Sequence, residues 1–316
     1  MDVSDTIKNK LNQLEKKYAS MGQNMDMYLD GLIHTDYLKY WDYIHLDVLL
    51  NLQKPRTTFP DEKIFILYHQ ITELHFQLIL HAQTQICEKN KGSKNPEFFK
   101  EQIRRINTYW DALTQSFEIM IEGMYKDEFL KFRMALLPAS GFQSAQYRMI
   151  EICSTDLINL VRYNQRKALK KSTDTKELLQ NLYWKQGATE LSSGKKTLTL
   201  KQFEEKYEAE FRRLAVRYKE KNIYTQFKKI EEAGNADDEM VNSLKRFDFK
   251  ANIEWPLMHY KSAVRYLQKD PQDISATGGT NWQKYLPPRH QRILFFPSLW
   301  TEKELENWGK NIFSKK

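Results

Sequence analysis

An all-α helical bundle is the fold class this chain predicts, on three observations. Glycine and proline are scarce, 11 and 9 of 316 residues, against an average usage of roughly 12% for the pair. A β-sandwich or a parallel α/β sheet with glycine-rich loops needs more punctuation than that. Residues 61–88 place Ile64, Leu67, Ile71, Leu74, Leu78 and Ala82 at the three- and four-residue spacing of a helix face. The length is ample to bury a core without a disulfide or metal staple.

Each element follows from the same rules. Asp5 to Ala19 reads as an amphipathic, peripheral helix. The helix over 61–88 carries Phe65, Phe76 and Ile79 on its other faces, so it is expected deep in the bundle, apolar nearly all round. Asn95-Pro96 is a helix start, an N-cap followed by proline at the first helical position, leading into a segment that ends near Gly123. A shorter helix over Asp127–Leu136 stops before Pro138, and another follows Gly141. From about Lys167 to Phe247 the composition shifts toward Lys, Glu and Gln, as in a helical insertion with an exposed outer face. Trp255–Leu267 is a further helix, and Thr301 with Glu304 forms a capping box for a last one. One all-α domain over 1–316 is expected, with an N-terminal arm over about 1–45 and the insertion over about 167–247.

Composition narrows the function. Mean hydropathy of −0.69 and the lack of any run near 18 apolar residues argue against a membrane span. No signal peptide is visible at the N-terminus, and Cys87 and Cys153 alone make no disulfide framework, so a cytoplasmic setting is expected. A net charge of +8 raises nucleic-acid binding. The Lys and Arg are scattered, however, and no zinc-finger, RNP-like or basic-zipper pattern accompanies them. Neither nucleic acid nor membrane is expected as a partner.

Residues for chemistry are few. The histidines are His34, His45, His69, His75, His81, His259 and His290. His69 follows Phe65 by one turn on the 61–88 helix, and His259 follows Trp255 by the same spacing far downstream. Each alone reads first as a hydrogen-bonded core histidine and second as a ligand. There is no CxxC or HExxH, and no mirrored carboxylate–histidine pair for a di-iron bundle. Thr277-Gly278-Gly279-Thr280 lacks the Lys of a phosphate loop and reads as a plain loop. A cofactor held by one His, with a second His facing it, would suit this inventory. Arg133, one turn after Phe129, is suited either to a ligand carboxylate or to a surface ion pair.

Read together, these segments resemble the tryptophan 2,3-dioxygenase family. Phe132-Arg133, then Pro138-Ala139-Ser140-Gly141-Phe142-Gln143-Ser144 and Gln146-Tyr147-Arg148, match its FR and PxSGFQSxQ[YF]R. Asp61-Glu62, Phe65, His69-Gln70 and Glu73-Leu74 are similar to its DExxFxxxHQxxEL helix. Tyr40-Trp41-Asp42-Tyr43 with Leu46-Asp47 looks like its YxxYLxLD segment, and Trp255, His259, Thr277-Gly278-Gly279 and Phe295-Phe296-Pro297 follow in order.

The resemblance implies an all-α bundle enclosing heme b, one per subunit, in a cytoplasmic homotetramer. It implies oxidative ring opening of L-tryptophan by O2 to N-formylkynurenine, the first step of tryptophan catabolism through kynurenine. His259 would be the proximal iron ligand, with Trp255 beside the cofactor. His69 would be the catalytic distal histidine, hydrogen-bonded to the indole N–H. Arg133 would pair with the substrate carboxylate, and Thr277 with its ammonium and carboxylate. Phe65 and Phe129 would wall the indole, Ser140 and Gly141 would line the pocket, and Tyr40 and Tyr43 would reach a neighbouring subunit's site. The alternatives are a relative acting on another indole and a non-catalytic heme-binding sensor. The chain departs from the family pattern at Pro60, His75 and Met258, at Pro256 in the first turn of the His259 helix, and over 276–282.

Overall fold

The computed structural model describes residues 4–35, 38–88, 91–137, 143–188, 195–267 and 292–309. All regular structure among the described residues is helical, apart from isolated bridge residues, among them the antiparallel pair Val161 and Leu182. The chain divides into two compact units, Met1–Lys54 and Pro55–Lys316.

The first unit holds α1 (Asp5–Ser20), α2 (Met25–Ile33), α3 (Tyr40–Tyr43) and α4 (Leu46–Leu49). Asn24 caps α2 through the amide of Asp26 at 2.8 Å. None of these helices buries a residue, and Met27, Leu32, Ile33, Tyr40 and Tyr43 are each at least 66% exposed.

The second unit carries the core. Its spine is α5 (Asp61–Cys87), followed by α6 (Lys91–Lys94) and α7 (Pro96–Ser116), where Asn95 caps through Phe98 N–H and Pro96 opens the helix. α5 packs on α7 and on α10 (Ala145–Ser154). The helix expected to run to Gly123 breaks instead. The Phe117 amide turns to the Thr114 carbonyl at 3.2 Å, and α8 (Glu118–Ile121) sets off afresh. Gly123 then closes on Ile119, where a Cβ would lie 2.5 Å from the carbonyl oxygen, so only glycine fits before α9 (Lys126–Phe132). A 3₁₀ turn over Arg133–Leu136 ends this segment.

α11 (Leu157–Leu160), α12 (Tyr163–Leu169), α13 (Thr175–Gln180), α14 (Leu198–Tyr218) and α15 (Ile223–Glu232) follow. α14 and α15 each bury a full face, including Phe203, Phe211 and Phe227. The helix read as starting at Trp255 begins earlier. α16 (Asp238–Phe249) runs through a π-turn (Lys250–Glu254) into α17 (Trp255–Leu267). A 3₁₀ turn over Pro297–Leu299 and α18 (Glu302–Glu306) complete the described residues, α18 with the expected Thr301–Glu304 capping box.

The burial of α5 differs from its reading. The buried stripe is Tyr68, Thr72, Phe76, Ile79, Gln83 and Ile86, whereas Leu74 and Leu78 are 54% and 46% exposed. Apolar residues on every face leave the periodicity unable to choose the inner one. The aromatic rings chose it, because Phe76 and Tyr68 bury the larger surface.

Candidate functional site

α5 and α17 bring His69 and His259 into one neighbourhood. The Nδ1–H of His69 donates to the Phe65 carbonyl at 2.7 Å, one turn back on its own helix. The His259 ring makes the same bond to the Trp255 carbonyl. In each case one nitrogen is committed and the other keeps its lone pair. His69 retains exposed surface although protein surrounds it closely enough to hold its pKa below the usual value. His259 is pushed down to about 4, first by burial and then by the facing charge that His69 would carry. Both imidazoles are therefore neutral at neutral pH.

Aromatic rings connect the pair. Phe117, at the break after α7, lies 4.9 Å edge-on to His259, 5.0 Å from Trp255 and 5.4 Å from Tyr68, which in turn meets His69 at 5.5 Å. Phe65 lies 4.1 Å from His69, 6.3 Å from Phe129 and 5.9 Å from Phe132. Arg133 directly follows Phe132 and is only 6% exposed, and burial lowers its pKa.

The two most distinctive sequence segments are tied to each other. The Gln146 side chain on α10 donates to both the backbone and the side-chain carboxylate of Glu73, at 2.9 and 2.8 Å. Glu73, one turn beyond His69, exerts an electrostatic pull on that imidazole. Tyr147 donates its hydroxyl to the Ala251 carbonyl in the π-turn at 2.9 Å.

The π-turn has its own anchor. Asp248 is fully buried and accepts from the backbone amides of Phe295 (2.9 Å) and Phe296 (3.1 Å), the indole of Trp300 (2.9 Å) and the side-chain amide of Asn252 (2.8 Å). Burial nonetheless pushes its carboxyl up to about 6. The amides of the Phe295-Phe296 segment close on this residue, just before the turn that leads to His259.

Of the residues singled out in the sequence, Phe65, His69, Phe129, Trp255 and His259 are linked by ring contacts, and Arg133 adjoins them through Phe132. Tyr40 and Tyr43 belong to the first unit and are 70% and 71% exposed. Ser140, Gly141 and Thr277 lie outside the described residues. Phe117, Tyr68 and Asp248 went unrecognised. Tyr68 stands beside His69 within a quoted segment and was readable as a neighbour, whereas nothing local marks Phe117 or Asp248. Among the described residues no group of three His, Cys, Asp or Glu could hold a bare metal ion. A prosthetic group with one protein ligand is what this donor set fits.

Fold and site thus define an all-α protein whose site combines two neighbouring neutral imidazoles, aromatic rings and a buried arginine. Residues 32–275 match the tryptophan 2,3-dioxygenase family, and the chain belongs to it. It is similar to the tryptophan 2,3-dioxygenase of Bacillus thuringiensis (strain Al Hakam), 38% identical over 134 residues that make up 42% of this chain and 47% of that protein. The enzyme so named from Ruegeria sp. (strain TM1040) is 37% identical over 117 residues, 37% of this chain and 41% of its own length. That of Herpetosiphon aurantiacus is 40% identical over 116 residues, covering 36% and 44%. The chain spans about half the length of the curated relatives it matches.

Proposed function

We propose that this protein is a heme-dependent dioxygenase that opens the indole ring of L-tryptophan with O2, giving N-formylkynurenine. The observation that carries the reading is the pair His69 and His259, neutral and each with one nitrogen spent on its own helix. Such a pair would suit a flat group held between its imidazoles. His259 would hold the iron of heme b through its free nitrogen, with Trp255 and Phe117 as ring walls beside it. Heme, when bound, supplies the activation of O2.

The chain's own residues bind and orient the substrate. With Nδ1–H committed to Phe65, the remaining nitrogen of His69 is an acceptor, the role an indole N–H requires. Phe65 and Phe129 exclude water from the indole face. Arg133 pairs with the carboxylate as a buried fork, and a substrate lacking that group forgoes this charged pairing. Thr277, Ser140 and Gly141 complete this reading from the matched motifs. The subunit is read as one of a cytoplasmic homotetramer in which Tyr40 and Tyr43 reach a neighbouring copy. Their exposed rings supply apolar surface for such a contact. No helix among the described residues is long and apolar enough to cross a membrane.

Mixing anaerobically reduced, heme-loaded protein with L-tryptophan and O2 tests the proposal. N-formylkynurenine absorbance is expected. A bound-heme spectrum without product would overturn the substrate and turn the search to another indole or to sensing.

A further inference from the structure

The π-turn before His259 has a backbone defect that the chain repairs from elsewhere. In a regular helix the Trp255 amide would donate to the Ala251 carbonyl. Here it donates to Lys250, one residue further back. In that widened register the donor for Ala251 is residue 256, and residue 256 is proline, which has no N–H. The Ala251 carbonyl therefore has no partner within its own helix. Ala251 is 0% exposed, so bulk water does not serve it either, and an unmet buried carbonyl is costly.

The Tyr147 hydroxyl donates to that carbonyl at 2.9 Å. We propose that Tyr147 is a positioning residue for His259: its hydroxyl replaces the hydrogen bond that Pro256 removes, and so fixes the turn that aims the imidazole. This rests on the reading of His259 as the axial ligand. Tyr147 is placed to do this firmly. The Arg148 guanidinium covers its ring at 4.5 Å, and the ring packs on Phe76 (5.5 Å) and Trp110 (6.3 Å). Those two rings also support Trp255, at 5.8 and 6.2 Å. One tyrosine thus sits behind both the backbone turn and the ring of Trp255, the residue whose backbone carbonyl serves the His259 ring. Burial keeps the phenol protonated well above its ordinary range, so the donor persists at any working pH.

The test is a four-member cycle of the wild type, Tyr147→Phe, Pro256→Ala and the double variant, followed by thermal unfolding of the heme-free protein. Tyr147→Phe is expected to lower Tm by roughly 3–8 °C. In the Pro256→Ala background the loss is expected to shrink to a third or less. Alanine restores an N–H, and Ala251 is then served in either register. Equal losses in both backgrounds would overturn the proposal and leave Tyr147 a packing ring. A second comparison needs no change at the proline. Tyr183→Phe deletes a neighbouring half-buried hydroxyl, which donates to Glu151 at 2.5 Å. Tyr147→Phe should speed heme release about tenfold or more and shift the iron–histidine stretching frequency, with Tyr183→Phe near wild type. The same change in both would count against the proposal. If His259→Ala keeps its heme, the axial reading fails and positioning of a ligand fails with it. The heme-free cycle still reports whether Tyr147 repairs the turn.

Discussion

The two histidine-bearing helices solve the same task in opposite ways. His69 rides on α5, 27 residues without a break, and its acceptor is an ordinary carbonyl one turn back. His259 follows a proline and a π-turn, and its helix is held by groups from other parts of the chain: Tyr147, Asp111 through Lys250, and the amides that converge on Asp248. A regular helix needs only its own backbone to place a side chain. An irregular one depends on tertiary partners, and so gains a fixed but vulnerable geometry. Damage at a distance should accordingly disturb the His259 side far more than the His69 side.

The largest test of that asymmetry exchanges the two rings for methyl groups. His259→Ala should abolish heme retention, read as heme per subunit after gel filtration, while His69→Ala keeps full heme content. Heme loss in His69→Ala with retention in His259→Ala would reverse the two assignments. Next comes Asp248→Ala, which leaves two amides and an indole N–H unmet in the core. We expect at least ~3 kcal/mol of lost stability in denaturant unfolding. A Glu73→Ala substitution, which loosens the α5–α10 tie beside His69, should cost about 1 kcal/mol.

Substrate kinetics sharpen the contrast further. Arg133→Leu should raise the KM for L-tryptophan roughly 30–100-fold, since a charged hydrogen-bonding partner is lost, and an unchanged KM would remove Arg133 from the site. His69→Ala should lower turnover by only about tenfold, because it loses one orienting hydrogen bond.

Acidification gives the smallest and most specific effect. His259 has its pKa depressed to about 4 in the folded chain. Its contribution to stability is present above the ordinary histidine value near 6.5 and fades as pH falls toward 4. Asp248 is raised to about 6, so its contribution is present below the ordinary value near 3.9 and fades as pH rises through 6. The two slopes oppose each other between pH 4 and 6. Asp248→Asn should therefore make heme-free stability fall more steeply on acidification over that range than in the wild type.

Much of this was legible from residues alone, for a reason that also sets the limit. Helix existence, the Asn95-Pro96 start and the Thr301–Glu304 cap follow from local rules, and the structure has them. The pairing of His69 with His259 came from matched segments, since neither ring is distinctive singly. The inner face of α5 was not legible, because apolar residues surround that helix. The break at Phe117 and the π-turn were also missed. Pro256 was visible as an oddity in a first turn, yet its remedy lies on Tyr147, 109 positions away in the chain (256 − 147). Asp248 gives no signal because two of its four donors are backbone amides, which every sequence has, and the Trp300 indole lies 52 residues downstream.

Asp248 also bears on the order in which the protein assembles. Three of its four donors come from 47, 48 and 52 residues downstream. Closing a loop of that length costs about 3 kcal/mol of chain entropy, repaid only when the ends have met. The α5–α7 hairpin faces no such delay, since its helices are joined by a short connection. The His259 end of the site is thus expected to finish last, on a scaffold packed around Trp110. Folding is expected to pass through a stage in which His69 is in place and His259 is still being set. Supplying heme at that stage should speed the final step of refolding rather than the first.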